Sequence, residues 1–434
     1  MTAKVITRYP PSPTGFVHIG SVRTALFNHL FAAHNGGEMV LRFEDTDKER
    51  SKREYEDDIL AGLAWLGLPY SMPAVARQSE RTAVYQKHIP KLIEVGAAYE
   101  AEAGKDNPDK KVVRFKNPNV KITFQDAVRG EVTFDTTELG DFVIARNIDE
   151  PLYHLAVVID DHEMGVTHVI RGEDHISNTP RQILMLEALG FERPQYAHIP
   201  LILAPDKTKL SKRHGAVSVN EYKAQGFIPE AVLNYLALLG WNPGGEQELF
   251  TLDELAKLFT LDRVHKAGAV FGLEKLKWFN HEHLKKLSDA EYAARLKAFS
   301  DKGIDPRLIP LLKERAQTLV EAVLMLETEF DFFGDPSYEP ALLLQKGKIL
   351  PEVASNHLKA LTDLLEHVPH EGFLAAQLKD IIWPYATAQG RGEVLWPLRV
   401  ALSGKEKSPD PFAIMGLLGK EETRKRIAQA LQNL

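Results

Sequence analysis

Two short segments of the sequence combine residue types that suit phosphate chemistry. The first runs from Pro11 to Ser21 and reads Pro-Ser-Pro-Thr-Gly-Phe-Val-His-Ile-Gly-Ser. It leaves a predicted strand and enters a predicted helix, so backbone N–H groups and the positive end of the helix dipole meet at one place. Gly15 and Gly20 let the backbone approach a ligand closely, and His18 can donate a hydrogen bond to a phosphate oxygen. The alternative is a simple Gly/Pro turn with His18 on the surface.

The second segment is a basic loop, from Pro205 to His214, that follows a predicted strand. Residues 207–214 contain four Lys or Arg side chains and no acidic residue. Lys209 and Lys212 are three positions apart, so a single turn can direct both ammonium groups to one anion. The alternative is a solvated basic loop, which is what most runs of like charge are.

Strand and helix patterns alternate around both segments, which favours a parallel sheet with right-handed crossovers. The predicted strands cover residues 5–9, 39–43, 165–171 and 199–203. Helices are predicted to begin near Ser21, after a capping box at Ser51–Glu54, and after Thr179, which is interpreted as a helix cap followed by Pro180.

The pattern changes in two other parts of the chain. Residues 100–150 are predicted to form a small, partly β insertion that splits the α/β domain. Helical periodicity dominates from about residue 290, with predicted helices that include 311–330, 411–418 and 421–431. We therefore divide the chain into five segments, which are 1–99, 100–150, 151–225, 226–289 and 290–434.

Together, the two segments resemble the HIGH and KMSKS signatures of class I aminoacyl-tRNA synthetases. Here they read His18-Ile19-Gly20-Ser21 and Lys209-Leu210-Ser211-Lys212-Arg213. The wider context resembles glutamyl-tRNA synthetases of the bacterial type over nearly the whole chain. The further segments that carry the resemblance are Arg8 with 11–15, Arg42–Asp47, Tyr153–Ala156, Asp160–His162, Gly165–Glu173, Asp206–Arg213, Pro397–Gly404 and Leu417–Glu421.

This resemblance implies a fold, a reaction and a set of ligands. The implied fold is a multidomain α/β plus all-α protein, with a Rossmann-type catalytic domain, an insertion that meets the tRNA acceptor end, a stem-contact region and an α-helical anticodon-binding domain. The implied reaction activates glutamate with ATP, accompanied by Mg²⁺, and transfers it to the 3′ terminal adenosine of tRNA-Glu. The implied catalytic residues are His18, Gly20, Ser21, Lys209, Ser211 and Lys212. The implied ATP-binding residues are Pro11, Thr14, Gly15, His18, Gly20, Lys209, Leu210 and Lys212.

The second carboxylate of glutamate calls for arginine, because a planar guanidinium binds a carboxylate through two parallel hydrogen bonds. The resemblance implies that Arg8 and Arg171 bind this carboxylate, with help from the Tyr153 hydroxyl. It also implies that Glu44 holds the ammonium group, with Ser12 nearby. The alternatives are a solvated charged turn around Glu44 and core packing for Tyr153.

The sequence departs from the family pattern at three places. Val157 stands where many relatives have Asn one turn after the tyrosine, so that substrate contact is absent or replaced. Ser21 replaces the last histidine of the first signature, a common variant. The insertion is short, and residues 98–102 lack the cysteines that bind zinc in some relatives, so we expect no structural zinc and no other metal site.

The net charge of −7 argues mildly against a nucleic-acid partner, but basic residues are clustered. Residues 105–121 contain six Lys or Arg against two Asp. Phosphate contacts require local rather than total positive charge, so we expect tRNA to bind near such clusters. The predicted tRNA-binding residues are Lys111, Arg114, Arg315 and Arg399. The run Arg424-Lys425-Arg426 is interpreted as a solvated helix end.

Composition excludes several other classes of protein. The 434 residues contain no cysteine, which rules out disulfides, thiolate metal sites and cysteine nucleophiles. The longest apolar stretch, about 233–241, falls far short of the ~20 residues of a membrane span, so we expect no membrane partner. We further expect a cytoplasmic monomer. Two alternatives remain, a non-discriminating or duplicated form that glutamylates tRNA-Gln and a catalytically inactive RNA-binding paralogue. The presence of His18, Lys209 and Lys212 argues against the second.

Overall fold

The computed structural model describes residues 4–103, 110–210, 218–301 and 303–434. The chain divides into two compact units, Met1–His283 and Leu284–Leu434. Among the described residues, no helix is both long enough and apolar enough to cross a membrane.

The first unit begins with the predicted alternation of strands and helices. Its first elements are β1 (Ile6–Tyr9), α1 (Ile19–His34), β2 (Glu38–Phe43), α2 (Arg53–Leu66), β3 (Ser71–Arg77) and α3 (Thr82–Glu94). The three strands form a parallel sheet in the order β1-β2-β3, which confirms the predicted topology. The predicted capping box at Ser51 is wrong, because the N-cap of α2 is Lys52 and no side chain caps this helix.

Five short strands follow within residues 98–145, in agreement with a partly β insertion. They are β4 (Ala98–Glu102), β5 (Lys111–Phe115), β6 (Lys121–Asp126), β7 (Gly130–Asp135) and β8 (Phe142–Ala145). Strands β4, β5 and β8 form one antiparallel sheet, and β6 and β7 form a hairpin.

The chain then returns to alternating elements. These are α4 (Tyr153–Glu163), β9 (His168–Gly172), α5 (Thr179–Leu189), β10 (Gln195–Ile199) and β11 (Ile202–Leu203). The hairpin joins this part, because a second sheet has the order β7-β6-β10-β9. The predicted strand at 199–203 is misplaced, since β10 ends at Ile199 and only two residues of β11 follow.

The two sheets meet at β1 and β9, where the Thr167 N–H donates to the carbonyl oxygen of Ile6 at 2.9 Å. The combined order across this seam is β3-β2-β1-β9-β10, so the chain moves in opposite directions from β1 and from β9. Apolar side chains of α3, α4 and α5, including Ile89, Leu155 and Ile183, form a buried core in this unit. The unit ends with α6 (Val219–Ala224), α7 (Pro229–Leu238), α8 (Leu252–Leu258), β12 (Ala269–Val270) and most of α9 (Leu273–Lys286).

The described part of the second unit is helical, as predicted. Its α-helices are α10 (Asp289–Leu296), α11 (Ile309–Arg315), α12 (Leu319–Thr328), α13 (Pro340–Leu343), α14 (Pro351–Glu366), α15 (Ala375–Gln389), α16 (Arg391–Ser403) and α17 (Pro411–Gln432). The predicted helix 311–330 is broken, because Thr318 starts α12 by accepting a hydrogen bond from the Glu321 N–H. Conversely, the two predicted helices after 411 form one element, kinked at Gly419, where φ is 80°.

Candidate active site

A cavity of about 840 Å³ lies at the carboxyl ends of β1 and β9. One part of the cavity is lined by Pro10, Pro11 and Ser12, which follow β1. Another part is lined by Asp174 and His175, which follow β9. The chain leaves these two strands in opposite directions, so the connections diverge and leave a crevice, as is usual at the switch point of an open parallel sheet. The sheet topology therefore sets where the site is.

The N-terminus of α1 lines this cavity through His18, Gly20 and Ser21. His18 is the N-cap residue, and its Nδ1 accepts a hydrogen bond from the Ser21 N–H at 3.1 Å. Desolvation in the cleft and the charge of Lys209 lower the pKa of His18, so its ring is neutral near pH 7 and carries its proton on Nε2. A Cβ on Gly20 would lie 3.0 Å from Nδ1 of His18, so glycine here leaves room for the ring.

Lys209 and Leu210 line the same cavity from the basic loop. Lys209 pairs with Leu203 in a short antiparallel bridge, and its Nζ forms an ion pair with Asp174 at 2.9 Å. The two side chains are 63% and 41% exposed, so the pair is weak and an incoming phosphate can replace Asp174. Ser211 and Lys212 lie outside the described residues.

The five residues predicted to bind glutamate all line the cavity. They are Arg8, Ser12, Glu44, Tyr153 and Arg171. Arg8 is only 2% exposed and Arg171 only 5% exposed. Burial and the positive charge of Arg8 lower the pKa of Arg171, because two guanidinium groups share one region. A bound carboxylate would relieve this repulsion, so the pair suits an anionic ligand.

Glu44 supplies negative charge in the same cavity. Burial raises its pKa to about 7, although its ion pair with Arg42 at 3.1 Å acts in the opposite direction. Burial also raises the pKa of Tyr153 to about 12, and the charge of Glu44 adds to this effect, so the phenol remains a hydrogen-bond donor. The solvated-turn interpretation of Glu44 and Arg42 is therefore wrong, because both side chains are buried.

A buried ionic network supports these groups. Asp161 on α4 forms ion pairs with Arg42 at 2.8 Å and with Nε of Arg8 at 3.4 Å. Its neighbour Asp160 accepts hydrogen bonds from Gln78 at 2.9 Å and from Arg81 at 2.6 Å. These adjacent acids belong to a segment that carries the family resemblance, but the resemblance implied no role for them. Two adjacent carboxylates at the end of an apolar stretch of helix could have indicated a buried ionic network, because buried acids require partners.

The partners of Arg171 were also missed. Its Nη2 donates to the Thr179 hydroxyl at 2.7 Å, and its Nε donates to Nε2 of His198 at 3.1 Å. Thr179 therefore does not cap α5, whose N-cap is Asn178 without a side-chain hydrogen bond. His198 lies on β10, and Asp126 on β6 binds its other ring nitrogen at 2.6 Å.

Several other residues named from the sequence lie away from the cavity lining. Pro11 lines it, whereas Thr14 and Gly15 do not. Val157 is 3% exposed on α4 and is not a lining residue either, so no replacement for the missing Asn contact is visible at this position. Among the described residues, no cluster of His, Asp or Glu has the composition of a metal site.

The four residues predicted to contact tRNA lie on two different units. In the first unit, Lys111 pairs with Glu100 at 3.3 Å, and Arg114 donates to the carbonyl oxygen of Asp141 at 3.2 Å. In the second unit, Arg315 pairs with Glu329 and lies over the ring of Phe330. Arg399 donates at 2.8 Å to the carbonyl oxygen of Ser408 and is half-buried. The Lys111 side chain is 75% exposed against 34% for Arg315, so Lys111 is the more accessible of these two to an RNA phosphate.

The sequence matches the models of two known families of protein domains. The family model described as the class I tRNA synthetase (E and Q) catalytic domain matches residues 4–107 and 100–278. The model described as an anticodon binding domain matches residues 271–431. The chain belongs to the class I tRNA synthetases.

Curated relatives of this synthetase extend over its whole length. It is 38% identical to a glutamate–tRNA ligase of Dehalococcoides mccartyi strain CBDB1, over 100% of this chain and 98% of the relative. It is 41% identical to a glutamate–tRNA ligase of Oleidesulfovibrio alaskensis, over 99% of each chain.

A solved structure is also similar to this synthetase. It is described as a glutamate tRNA ligase from Elizabethkingia meningosepticum in complex with its amino acid. The TM-score is 0.86, the sequence identity is 33%, and 100% of each chain is covered. The α/β unit thus corresponds to a class I catalytic domain and the helical unit to an anticodon-binding domain.

Proposed function

We propose that this chain is a glutamate–tRNA ligase that forms glutamyl-adenylate from glutamate and ATP and transfers the glutamyl group to tRNA-Glu. One observation carries the substrate assignment. Two buried guanidinium groups, on Arg8 and Arg171, and the buried carboxylate of Glu44 line the same cavity as His18 and Lys209. A dicarboxylic amino acid matches this charge pattern, and the names of the curated relatives agree with it.

In the first step, an α-carboxylate oxygen of glutamate attacks the α-phosphorus of ATP. The bond from that phosphorus to the bridging oxygen breaks, and pyrophosphate leaves with the electron pair. The protein contributes positioning and charge stabilisation rather than a covalent intermediate. His18 donates from Nε2 to a phosphate oxygen, Gly20 and Ser21 offer the N-terminal N–H groups of α1, and Lys209 neutralises the developing charge. Lys212 has the same proposed role, and Mg²⁺ enters bound to ATP as part of the substrate.

Glutamate is held so that only its α-carboxylate faces ATP. Arg8 and Arg171 bind the side-chain carboxylate with the Tyr153 hydroxyl, and Glu44 binds the ammonium group with Ser12 nearby. In the second step, a ribose hydroxyl of the 3′ terminal adenosine attacks the activated carbonyl carbon. The ester bond forms, the hydroxyl proton is released, and AMP leaves.

The tRNA is proposed to extend from the insertion to the helical domain. We assign residues 100–150 to the acceptor end, 226–289 to the stem and 290–434 to the anticodon, with 1–99 and 151–225 as the two halves of the catalytic domain. Lys111 and Arg114 are the proposed acceptor-end contacts, and Arg315 and Arg399 the proposed contacts of the helical domain. We further propose a cytoplasmic monomer without structural zinc.

The decisive experiment is to charge purified tRNA-Glu and tRNA-Gln side by side with the full chain. We expect ATP-dependent esterification of tRNA-Glu with glutamate, and none with aspartate or glutamine. Equal charging of tRNA-Gln with glutamate would identify a non-discriminating enzyme. Pyrophosphate exchange driven equally well by glutamine would contradict the proposed substrate.

A further inference from the structure

A buried chain of hydrogen bonds connects Asp126 to Arg171 through His198. Oδ2 of Asp126 lies 2.6 Å from Nδ1 of His198, and Nε2 of the same ring accepts from Nε of Arg171 at 3.1 Å. The side chains of Asp126 and His198 are both 0% exposed. Arg171 lines the cavity of the candidate active site, whereas Asp126 and His198 do not.

The direction of these bonds fixes the protonation state of the histidine. An arginine only donates, so the lone pair on Nε2 of His198 must accept, and the ring proton must lie on Nδ1. Asp126 receives that proton as an acceptor. Burial lowers the pKa of His198 in spite of its hydrogen bond to Asp126, which agrees with a neutral ring. A second ring proton would point at the N–H of Arg171.

Asp126 is itself held rigidly. Its Oδ1 accepts from the N–H groups of Val128 at 2.9 Å and Arg129 at 2.8 Å, in the turn between β6 and β7. The backbone N–H of His198 donates to both of its oxygens, at 3.2 and 3.0 Å. The orientation of the carboxylate is therefore set by the hairpin and by β10, independently of any ligand.

Two of the three guanidinium nitrogens of Arg171 are used in this way. Nε is bound to His198 and Nη2 to the Thr179 hydroxyl, and among the described residues no hydrogen bond is made by Nη1. The pair of acceptors thus fixes the plane of the guanidinium at the cavity wall. A ligand carboxylate meets an arginine whose rotamer is already chosen, so less entropy is lost on binding.

We propose that Asp126 and His198 are positioning residues for Arg171. The Asp126 carboxylate selects the His198 tautomer that accepts from Arg171, and this interaction holds the guanidinium toward the substrate. The inference rests on the proposed function only for the identity of the anion, which is the side-chain carboxylate of glutamate. It makes the insertion hairpin a structural part of amino-acid recognition.

The first test is Asp126→Asn in the full chain. The N–H groups of Val128 and Arg129 both donate to Oδ1, so they will keep the amide oxygen of the asparagine at that position. Its NH₂ will then face Nδ1 of His198 and force the ring proton onto Nε2. We expect the KM for glutamate to rise by about tenfold or more, equivalent to about 1.4 kcal/mol, while the KM values for ATP and tRNA stay within about twofold. A general packing defect would raise all three.

Two further variants guard against misfolding of the first. In His198→Gln, the amide oxygen can accept from Arg171 in place of Nε2. We therefore expect the KM for glutamate to stay close to the wild-type value. His198→Leu offers no acceptor, so we expect the KM for glutamate to rise as much as it does in Asp126→Asn. The matched control is Asp135→Asn on the same hairpin. The Asp135 carboxylate is exposed and accepts a hydrogen bond from the Thr137 N–H at 3.0 Å, so the KM for glutamate should not change.

A spectroscopic measurement tests the inference without relying on activity. In ¹⁵N-histidine-labelled protein, the His198 ring, assigned by its loss in His198→Gln, should show protonated Nδ1 in the wild type and protonated Nε2 in Asp126→Asn. Protonated Nε2 in the wild type would overturn the inference, and so would a flipped tautomer with an unchanged glutamate KM. If the tautomers behave as expected but the wild type activates no glutamate, the proposed function fails while the positioning geometry stands.

Discussion

Nη1 of Arg42 and Oδ1 of Asp161 form an ion pair at 2.8 Å in the interior of the α/β unit. The Arg42 side chain is 0% exposed, and the same guanidinium pairs with Glu44 at 3.1 Å. Asp161 in turn pairs with Arg8. Arg42, which does not line the cavity, therefore connects Glu44 directly and Arg8 through Asp161, and both of these side chains do line it. The charges that select the substrate are thus balanced by charges beneath them.

The first prediction concerns this pair. Arg42→Met removes the guanidinium that pairs with Glu44 and leaves the buried Asp161 with Arg8 alone at 3.4 Å. We expect the local free energy of unfolding to fall by about 3–5 kcal/mol. Hydrogen exchange of the β2 amides in the full chain measures it. The control is Lys4→Met, which breaks an exposed pair with Glu38 and should cost about 1 kcal/mol or less. Equal, small effects in both variants would show that the buried network contributes little.

The second prediction is a pH dependence of glutamate binding. Because the pKa of Glu44 in the empty site is raised to about 7, its proton must leave when the ammonium group binds below that pH. The Kd for glutamate should be constant above pH 7 and rise by up to about tenfold per unit below it. Calorimetry in buffers of different ionisation enthalpy should detect proton release at pH 6.

One control variant and one linked effect on stability accompany this pH profile. Glu44→Gln should bind weakly at all pH values and lose the slope. Ionisation of Glu44 also opposes folding, because its pKa is raised from 4.5 to about 7, so its contribution to stability is present below pH 4.5 and is lost as the pH rises through 7. A glutamate Kd that is flat between pH 6 and 8 would remove Glu44 from the ammonium site.

The third prediction separates catalysis from RNA binding in the basic loop. Lys209→Met removes a charge that lines the cavity, so we expect the rate of glutamate activation to fall by about 10²–10³ with unchanged affinity for tRNA. Lys212→Met should behave in the same way. The matched control is Lys207→Met, in the same loop but away from the cavity lining, which should keep the activation rate. If tRNA affinity falls in parallel with activation, the loop contacts the phosphate backbone instead.

The fourth prediction concerns the helical unit. Arg426 is only 1% exposed and donates to the carbonyl oxygens of Phe332 at 2.7 Å and Gly334 at 2.9 Å. Arg426→Gln leaves these acceptors unpaired, so the free energy of opening of α17, measured by hydrogen exchange, should fall by roughly 3 kcal/mol. Arg424→Gln, which breaks a pair with Glu366 in which Arg424 is 37% exposed, should cost about 1 kcal/mol or less. Similar costs for both would indicate that the buried arginine is not required.

Sequence patterns predicted many of the local elements, and most of the described residues that they assigned to catalysis, ATP or glutamate line the candidate cavity. The alternation of strands and helices gave the parallel sheet, and the residues from Arg8 to Ser21 gave the connection from β1 to α1. They failed where a side chain had two possible uses. Thr179 looked like a helix cap, yet its hydroxyl binds Arg171, and Arg426 looked like part of a solvated helix end, yet it is buried.

The sequence by itself determined the family resemblance, and through it the proposal that His18 and Lys209 bind a phosphate and that Arg8 and Arg171 bind a carboxylate. Only the tertiary structure decided how these groups are held. Asp161 lies 153 positions from Arg8, and Asp126 lies 72 positions from His198, so each pair is brought together only by the tertiary fold. Such contacts carry no local pattern, because burial forces a charged group to take whichever partner the fold brings to it.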